Sequence, residues 1–268
     1  MRLLPLESGQ QPIKENEVSK MENILEFVEG NLNESDREKI LKKVQANHFV
    51  VLRGLVKREV VREKIPLIWD YATSAKHLGT SGISKEVVRR FSSKWSIGGE
   101  SPIQADIARF MLTIYSPLLD KDTFGISSFF KTLIQVRDLC AGRPEALYDD
   151  KLEPPFFNGS RLQIYPSGGG FMSAHTDSTA VNTFNAASNG VFLQPLLLIS
   201  ERGVDYDTGG AFYVKDGEKV FIENGTQSGD IVVYDESIKH GVGDVDSDHP
   251  LDLQSRRGRI VALTTIYK

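Results

Sequence analysis

The stretch Arg161-Leu-Gln-Ile-Tyr165-Pro-Ser-Gly168-Gly169-Gly170-Phe-Met-Ser-Ala-His175-Thr-Asp177 decides the fold. Two runs of strand type, Arg161–Tyr165 and Phe171–Asp177, flank a triple-glycine break that leaves no room for a helix. The texture continues to the C-terminus. Val191–Ile199, Ala211–Val214, Lys219–Ile222, Asp230–Tyr234 and Arg259–Tyr267 are further strand candidates, punctuated by Gly209-Gly210, Asp216-Gly217, Asn224-Gly225 and Gly241. Asp-Gly between short β runs is the strongest hairpin signal, because both residues tolerate the positive φ of a two-residue turn. Short strands with glycine turns and no intervening helices predict an antiparallel sandwich or barrel, not a Rossmann sheet.

Upstream of Pro154-Pro155 the character changes. Residues 1–150 hold 22 basic and 21 acidic residues, whereas 151–268 hold 10 basic and 15 acidic. A balanced, charge-rich front half suits amphipathic helices. Glu17–Glu29 places Val18, Met21, Ile24, Leu25 and Val28 at helical steps. Ser35, with Glu38 three residues on, predicts a capping box and a helix to about Ala46. His48-Phe-Val-Val-Leu-Arg reads as a strand closed by Gly54. Arg58–Lys76 reads as a helix kinked at Pro66, and Pro102–Tyr115 and Phe124–Ala141 as two more helices. The expectation is an α+β protein, helices packed on one side of a β-sandwich, as a single domain over 1–268. Residues 1–150 would be mainly helical with one entry strand, and 151–268 would form the sandwich.

The 268 residues carry a net charge of −4, one Cys and five His. One cysteine excludes a disulfide framework and thiolate zinc or iron–sulfur sites. The mild acidity argues against a general nucleic-acid binder, which needs excess Lys and Arg. No run of 18 apolar residues suggests a membrane helix, and the N-terminus does not read as a signal peptide. A cytoplasmic location is therefore expected, with no nucleic acid, no membrane and the oligomeric state open.

The histidines divide. His48 beside an apolar run reads as structural, His77 as a solvated helix-end cap, and His249 before Pro250 as a surface loop. His175 and Asp177 lie two residues apart on strand-like sequence and so leave one face. His240 ends the run Gly229-Asp-Ile-Val-Val-Tyr-Asp-Glu-Ser-Ile-Lys-His. Two imidazoles and one carboxylate form the facial triad of non-haem Fe(II) oxygenases, with positions left open for a chelating cosubstrate and dioxygen.

From Arg161 to Lys268 the sequence resembles the Fe(II)/2-oxoglutarate-dependent dioxygenases, and more closely their prolyl-hydroxylase-like branch. Tyr165 through His175-Thr-Asp177 resembles that branch's strand with Tyr, glycine turn and His-x-Asp. Leu196-Leu-Leu-Ile-Ser with Gly209-Gly210-Ala-Phe-Tyr is similar to its next strand pair, and His240-Gly-Val-Gly-Asp-Val to its His-x-Val-x-x-Val. Arg259-Ile-Val-Ala-Leu-Thr matches its closing strand. The resemblance implies a double-stranded β-helix, that is, a jelly-roll or cupin-like antiparallel sandwich, braced by N-terminal helices. It implies Fe(II) on His175, Asp177 and His240, with 2-oxoglutarate as cosubstrate, O2 as oxidant, and ascorbate as a possible reductant.

The resemblance further assigns Arg259 to the distal carboxylate of 2-oxoglutarate, with Tyr165 approaching the cosubstrate. Independently, a lone Arg opening an apolar strand suits a buried carboxylate, because guanidinium stays charged and offers a planar fork of donors. Arg257 shares its parity and is the fallback. Val261 stands where the plant-type branch has Ser. Arg161 and Gln163 share parity with Tyr165 and are candidate substrate contacts, for instance to a carboxylate, a surface ladder being the alternative. The acidic segment 244–252 reads as a solvated loop. The expected activity is hydroxylation, or another oxidation, of an unactivated C–H in a small molecule, an amino acid or specialised metabolite, with release of succinate and CO2. A prolyl-type hydroxylase of a peptide or protein is the first alternative, and a non-catalytic cupin-like metal- or ligand-binding protein the second.

Overall fold

The computed structural model describes residues 23–27, 32–78, 85–99, 107–119, 121–143, 146, 148, 152–177, 182–185 and 192–268. In chain order the elements are β1 (Ile24–Glu26), α1 (Glu34–Asn47), β2 (Phe49–Arg53), α2 (Arg58–Arg62), α3 (Ile65–Ser74), α4 (Lys85–Val88), β3 (Ser92–Ile97), β4 (Arg109–Tyr115) and α5 (Ser127–Cys140). There follow β5 (Phe157–Pro166), β6 (Gly170–His175), β7 (Gln194–Leu198), β8 (Gly210–Lys215), β9 (Glu218–Phe221), β10 (Ile231–Tyr234), β11 (His240–Val245) and β12 (Gly258–Tyr267).

The strands run in the order β1-β2-β10-β7-β12-β5-β4-β6-β11-β8-β9, with β3 on β4. β5 and β12 pair antiparallel over their full length, Gly258 opposite Pro166 and Tyr267 opposite Phe157. β4 is the turning strand: Leu112–Tyr115 pair with β5, while Arg109 and Phe110 pair with β6. Strands remote in this order nevertheless share one core cluster, Leu196, Val261 and Leu263 packing with Tyr213 and Val220. The sheet therefore folds over on itself into two layers, the double-stranded β-helix expected.

Alternation assigns each side chain to a layer. In β5, Leu162 and Ile164 face the helices, joining Ile260 and Ala262 of β12 in a cluster with Ile68 of α3 and Phe129 and Leu133 of α5. Arg161, Gln163 and Tyr165, one residue out of phase, face the space between the layers, as do Arg259, Leu263 and Thr265 of β12. Each fully buried Leu or Ile under the helices contributes roughly 1.5–3 kcal/mol of transfer free energy. A one-residue slip of β12 on β5 would place Arg259 in the apolar layer, so the register is strongly specified.

Several expectations need correction. The front half contributes four strands rather than one. Ile24–Glu26, expected within a helix, pairs in parallel with Val51–Arg53; residues 17–22 and 28–29 of that expected helix lie outside the described residues. Arg109–Tyr115 is strand β4 and not a helix, because its backbone is taken up by β5, β6 and β3; residues 102–106 of that expected helix also lie outside the described residues. The capping box of α1 is formed by Asn33 and Asp36, two residues before the expected Ser35. Pro66 divides the expected helix 58–76 into α2 and α3, sitting in the first turn of α3 where its missing N–H costs nothing. The Asp216-Gly217 turn joins β8 to β9, with φ of 52° and 86°.

The segment 244–252 is only partly solvated. Asp246 is wholly buried and accepts from the Asp207 N–H (2.7 Å), the Thr208 N–H (2.9 Å) and Ser167 Oγ (2.8 Å). His77 is not a solvated cap: its Nε2 donates to the Ala72 carbonyl (2.9 Å), its Nδ1 accepts from Ser93 Oγ (2.8 Å), and it packs between Tyr71 and Trp95. Among the described residues no helix is long and apolar enough to cross a membrane.

Candidate metal centre and carboxylate clamp

β6 ends at His175 and β11 begins at His240, and the sheet sets these two residues directly opposite one another. Their ring centroids lie 4.6 Å apart. Asp177, two residues beyond His175, brings Oδ1 to 3.5 Å from His175 Nε2 and Oδ2 to 3.8 Å from His240 Nε2. One ligand atom from each residue lies within 4.8 Å of the others.

The hydrogen bonds fix which nitrogen is available. His175 Nδ1 faces the Ser173 carbonyl and His240 Nδ1 the Ile238 carbonyl, each at 2.9 Å. A carbonyl can only accept, so each Nδ1 carries a proton and each Nε2 is the nitrogen turned towards Asp177. Burial opposes ionisation of Asp177, but the two imidazoles outweigh it and hold the carboxyl far below the usual range. Burial likewise pulls the His175 imidazole down, and Asp177 more than offsets this, leaving it raised. Tyr234 braces His240 edge-on at 5.0 Å. Two neutral nitrogens and an anionic oxygen converging without sulfur are a donor set suited to Fe(II).

The three residues open onto a cavity of about 520 Å³ between the two layers, also lined by Arg161, Gln163, Tyr165 and Arg259. Arg259 is buried beneath it and held by Glu223: Nε lies 2.9 and 3.0 Å from the two carboxylate oxygens, and Nη2 lies 2.5 Å from Oε1. Tyr206 Oη donates to Glu223 Oε2. Burial opposes both charges, yet each partner stabilises the other, so Arg259 is raised and Glu223 lowered. Among the described residues Arg259 Nη1 has no partner, although it is sealed from solvent. Tyr165, opposite Arg259 in the ladder, stacks its ring 5.2 Å from the guanidinium and donates to Gln163 Oε1 at 3.1 Å. Burial pushes the Tyr165 phenol up to about 12, so it remains a donor. An orphaned guanidinium nitrogen beside a neutral phenol fits a carboxylate.

The fallback residue Arg257 lies elsewhere, exposed and paired with Asp207 at 3.0 Å. Arg161 and Gln163 do face the cavity and are no surface ladder. Sequence reasoning missed Glu223 and Tyr206, whose partners are distant in the chain. It also missed that His48 lines the cavity, against Tyr213 at 5.6 Å. His249 is exposed, as expected.

No protein-family model and no curated protein sequence matches the chain. Solved structures do. A prolyl-4-hydroxylase from Pseudomonas putida superposes with a TM-score of 0.53 at 14% identity, over 87% of this chain and 99% of its own. The α-ketoglutarate-dependent epimerase SnoN of nogalamycin biosynthesis gives 0.49 at 11% identity, over 88% of this chain and 84% of its own. EctD from S. alaskensis, solved with 2-oxoglutarate and 5-hydroxyectoine, gives 0.46 at 12%, over 83% and 73%. At such identities the likeness is one of fold, and the fold of this chain is the one seen in the Pseudomonas putida prolyl-4-hydroxylase.

Proposed function

We propose that this protein is an Fe(II)/2-oxoglutarate-dependent oxygenase that hydroxylates or otherwise oxidises an unactivated C–H of a small molecule. The observation that carries the proposal is the joint presence, in one cavity, of the Nε2/Nε2/carboxylate convergence and the orphaned Arg259 Nη1. Fe(II) bound by His175, Asp177 and His240 would supply dioxygen activation, with 2-oxoglutarate as the co-reductant that leaves as succinate and CO2.

The residues of the chain do the rest. The Ser173 and Ile238 carbonyls hold both imidazoles in the metal-binding tautomer. Arg259 Nη1 receives the distal carboxylate of the cosubstrate, joined by the Tyr165 hydroxyl once its proton turns from Gln163 Oε1, while Glu223 keeps the guanidinium from turning away. Leu196, Val232 and Leu263 line the cavity with apolar surface and restrict water around the reacting carbon. A cavity of about 520 Å³ between buried walls suits a cosubstrate and a compact substrate, which supports a small molecule over a peptide. A non-catalytic metal-binding sandwich has no use for a buried carboxylate clamp. The strands that the front half adds to the sheet support one domain over 1–268.

The test is anaerobic loading with Fe(II) and 2-oxoglutarate, followed by air. A cosubstrate-dependent visible band and succinate release are expected. Absence of both, with metal binding verified, overturns the proposal.

A further inference from the structure

We infer that Arg161 forms a second anion subsite in this cavity, one that takes the carboxylate of the substrate, so that the substrate is a small carboxylic or amino acid. This rests on the oxygenase reading and narrows it.

Arg53, Arg58, Arg62, Arg137 and Arg259 each hold a carboxylate within ion-pair distance, and the exposed Arg89 donates to the Pro155 carbonyl and lies over the Phe157 ring. Arg161 instead faces the cavity. Among the described residues its polar contact is one hydrogen bond, from Nη2 to Thr265 Oγ1 at 3.2 Å, while its guanidinium lies 5.6 Å from the Tyr267 ring centroid. Its Nε is sealed from solvent without a partner. A guanidinium has five N–H donors and keeps its charge when buried. Among the described residues no carboxylate lies within ion-pair distance of Arg161, and Asp177 and Glu236 act on it only at longer range, so an anion in the cavity would be its one direct counter-ion.

Position separates this subsite from the cosubstrate clamp. Arg161 stands opposite Leu263, and Tyr165 opposite Arg259. The two positions are four residues apart on one face of β5, about 13 Å along the strand. The Arg259 charge is already balanced by Glu223. Arg161 thus faces the far part of the cavity, where Tyr115 sits beside it on β4 and Ile266 and Tyr267 on β12. Those side chains offer apolar and aromatic surface to the body of an acid whose carboxylate Arg161 holds. Arg161 lines the same cavity as His175, Asp177 and His240, so an acid anchored at Arg161 shares that cavity with the metal ligands.

The experiment uses full-length protein loaded with Mn(II) and 2-oxoglutarate under argon, titrated calorimetrically. The probes are the L-amino acids, propionate, benzoate and 3-phenylpropionate, each beside its primary amide. At least one acid is expected to bind wild type at least tenfold more tightly than its amide. Arg161→Gln should abolish that preference, Arg161→Lys should restore part of it, and 2-oxoglutarate affinity should change less than twofold in both. A tenfold loss of 2-oxoglutarate affinity in Arg161→Gln overturns the inference, since Arg161 would then serve the cosubstrate. Equal binding of acids and amides, or no binding by any acid, also overturns it. If Arg161→Gln does not fold, the acid-to-amide ratio of wild type and Arg161→Lys still decides. Failure of the oxygenase reading itself appears separately, as wild type that neither binds 2-oxoglutarate nor releases succinate.

Discussion

Glu223 offers a quantitative test of the clamp, because it supplies the counter-charge of a cation that a ligand is expected to share. Glu223→Gln keeps the volume and one acceptor oxygen but removes the charge from three contacts of 2.5–3.0 Å to Arg259. Both side chains are 1% exposed, so solvent screens little of the loss. Breaking a buried pair from one side costs about 3–5 kcal/mol, and the retained oxygen places this variant near the lower end, about 3 kcal/mol. For a chain of this size each kcal/mol moves the melting temperature by about 2–4 °C, which gives a fall of roughly 6–12 °C. The pH dependence has a definite sign. Glu223 is lowered in the folded protein, so its stabilisation is present above the ordinary glutamate range and is lost as the pH falls through and below it. That acid-limb loss should be smaller in the variant. 2-Oxoglutarate then separates a clamp from mere scaffolding. A ligand at about 100 times its Kd stabilises a protein by about 2.7 kcal/mol, and in the variant its carboxylate also replaces the missing anion. Calorimetric melts with Mn(II), with and without saturating 2-oxoglutarate, should show the gap between variant and wild type at least halved by the ligand. A variant that melts within 2 °C of wild type, or a gap that the ligand leaves unchanged, would refute the reasoning.

Two further outcomes can be checked directly. His240→Ala removes one of the converging nitrogens and should abolish stoichiometric Fe(II) binding, whereas His249→Ala, on the surface, should leave it near wild type; equal losses would show that the metal lies elsewhere. Asp246→Asn keeps one of the two carboxylate acceptors in a wholly buried hub that holds the Asp207–Thr208 and Ser167 turns together, so a loss of about 2 kcal/mol is expected in urea denaturation. Asp246 is lowered in the folded state, so its contribution should fade as the pH drops below the ordinary aspartate range, and a variant with unchanged midpoint at neutral pH would refute the role.

What could be read before the structure was known follows the range of the interactions involved. His175 and Asp177 share a face by strand period alone, and Asp216-Gly217 specifies its own turn. Arg109–Tyr115 could not be told from a helix, because a strand buried on both faces, here with apolar residues on each, shows no period of two. Ile24–Glu26 is too short to show any period, and its conformation comes from pairing with Val51–Arg53. Ser35 and Asn33 are equally good caps by residue type. Asn33 prevails because the Asp36 carboxylate returns a bond to its backbone N–H, a reciprocity visible only in three dimensions. Glu223 had no local signal, since nothing near it in the chain marks a carboxylate that meets Arg259 36 residues later.

The same distinction explains why the two cavity arginines are not equivalent although both stand on the inward face of the β5–β12 ladder. Composition shows a mildly acidic back half with 10 basic residues against 15 acidic ones, so any cation there could be assumed to find a partner. Arg259 does, because the β8–β9 hairpin folds back and delivers Glu223 beneath it, with Tyr206 fixing the far oxygen. Among the described residues no carboxylate lies within ion-pair distance of Arg161, on which Asp177 and Glu236 act only at longer range and whose ladder neighbours are Leu263 and Tyr115. A ligand carboxylate arriving at Arg259 therefore joins an existing pair and is held mainly by geometry, through Nη1 and the Tyr165 hydroxyl. One arriving at Arg161, under the proposal above, would be its first carboxylate at ion-pair distance and would be held mainly by charge. The first arrangement selects for the shape and length of its ligand, and the second for the presence of an anionic group. That division of labour is what a site needs if it is to accept one invariant dicarboxylate cosubstrate while distinguishing an acid substrate from neutral molecules of the same outline.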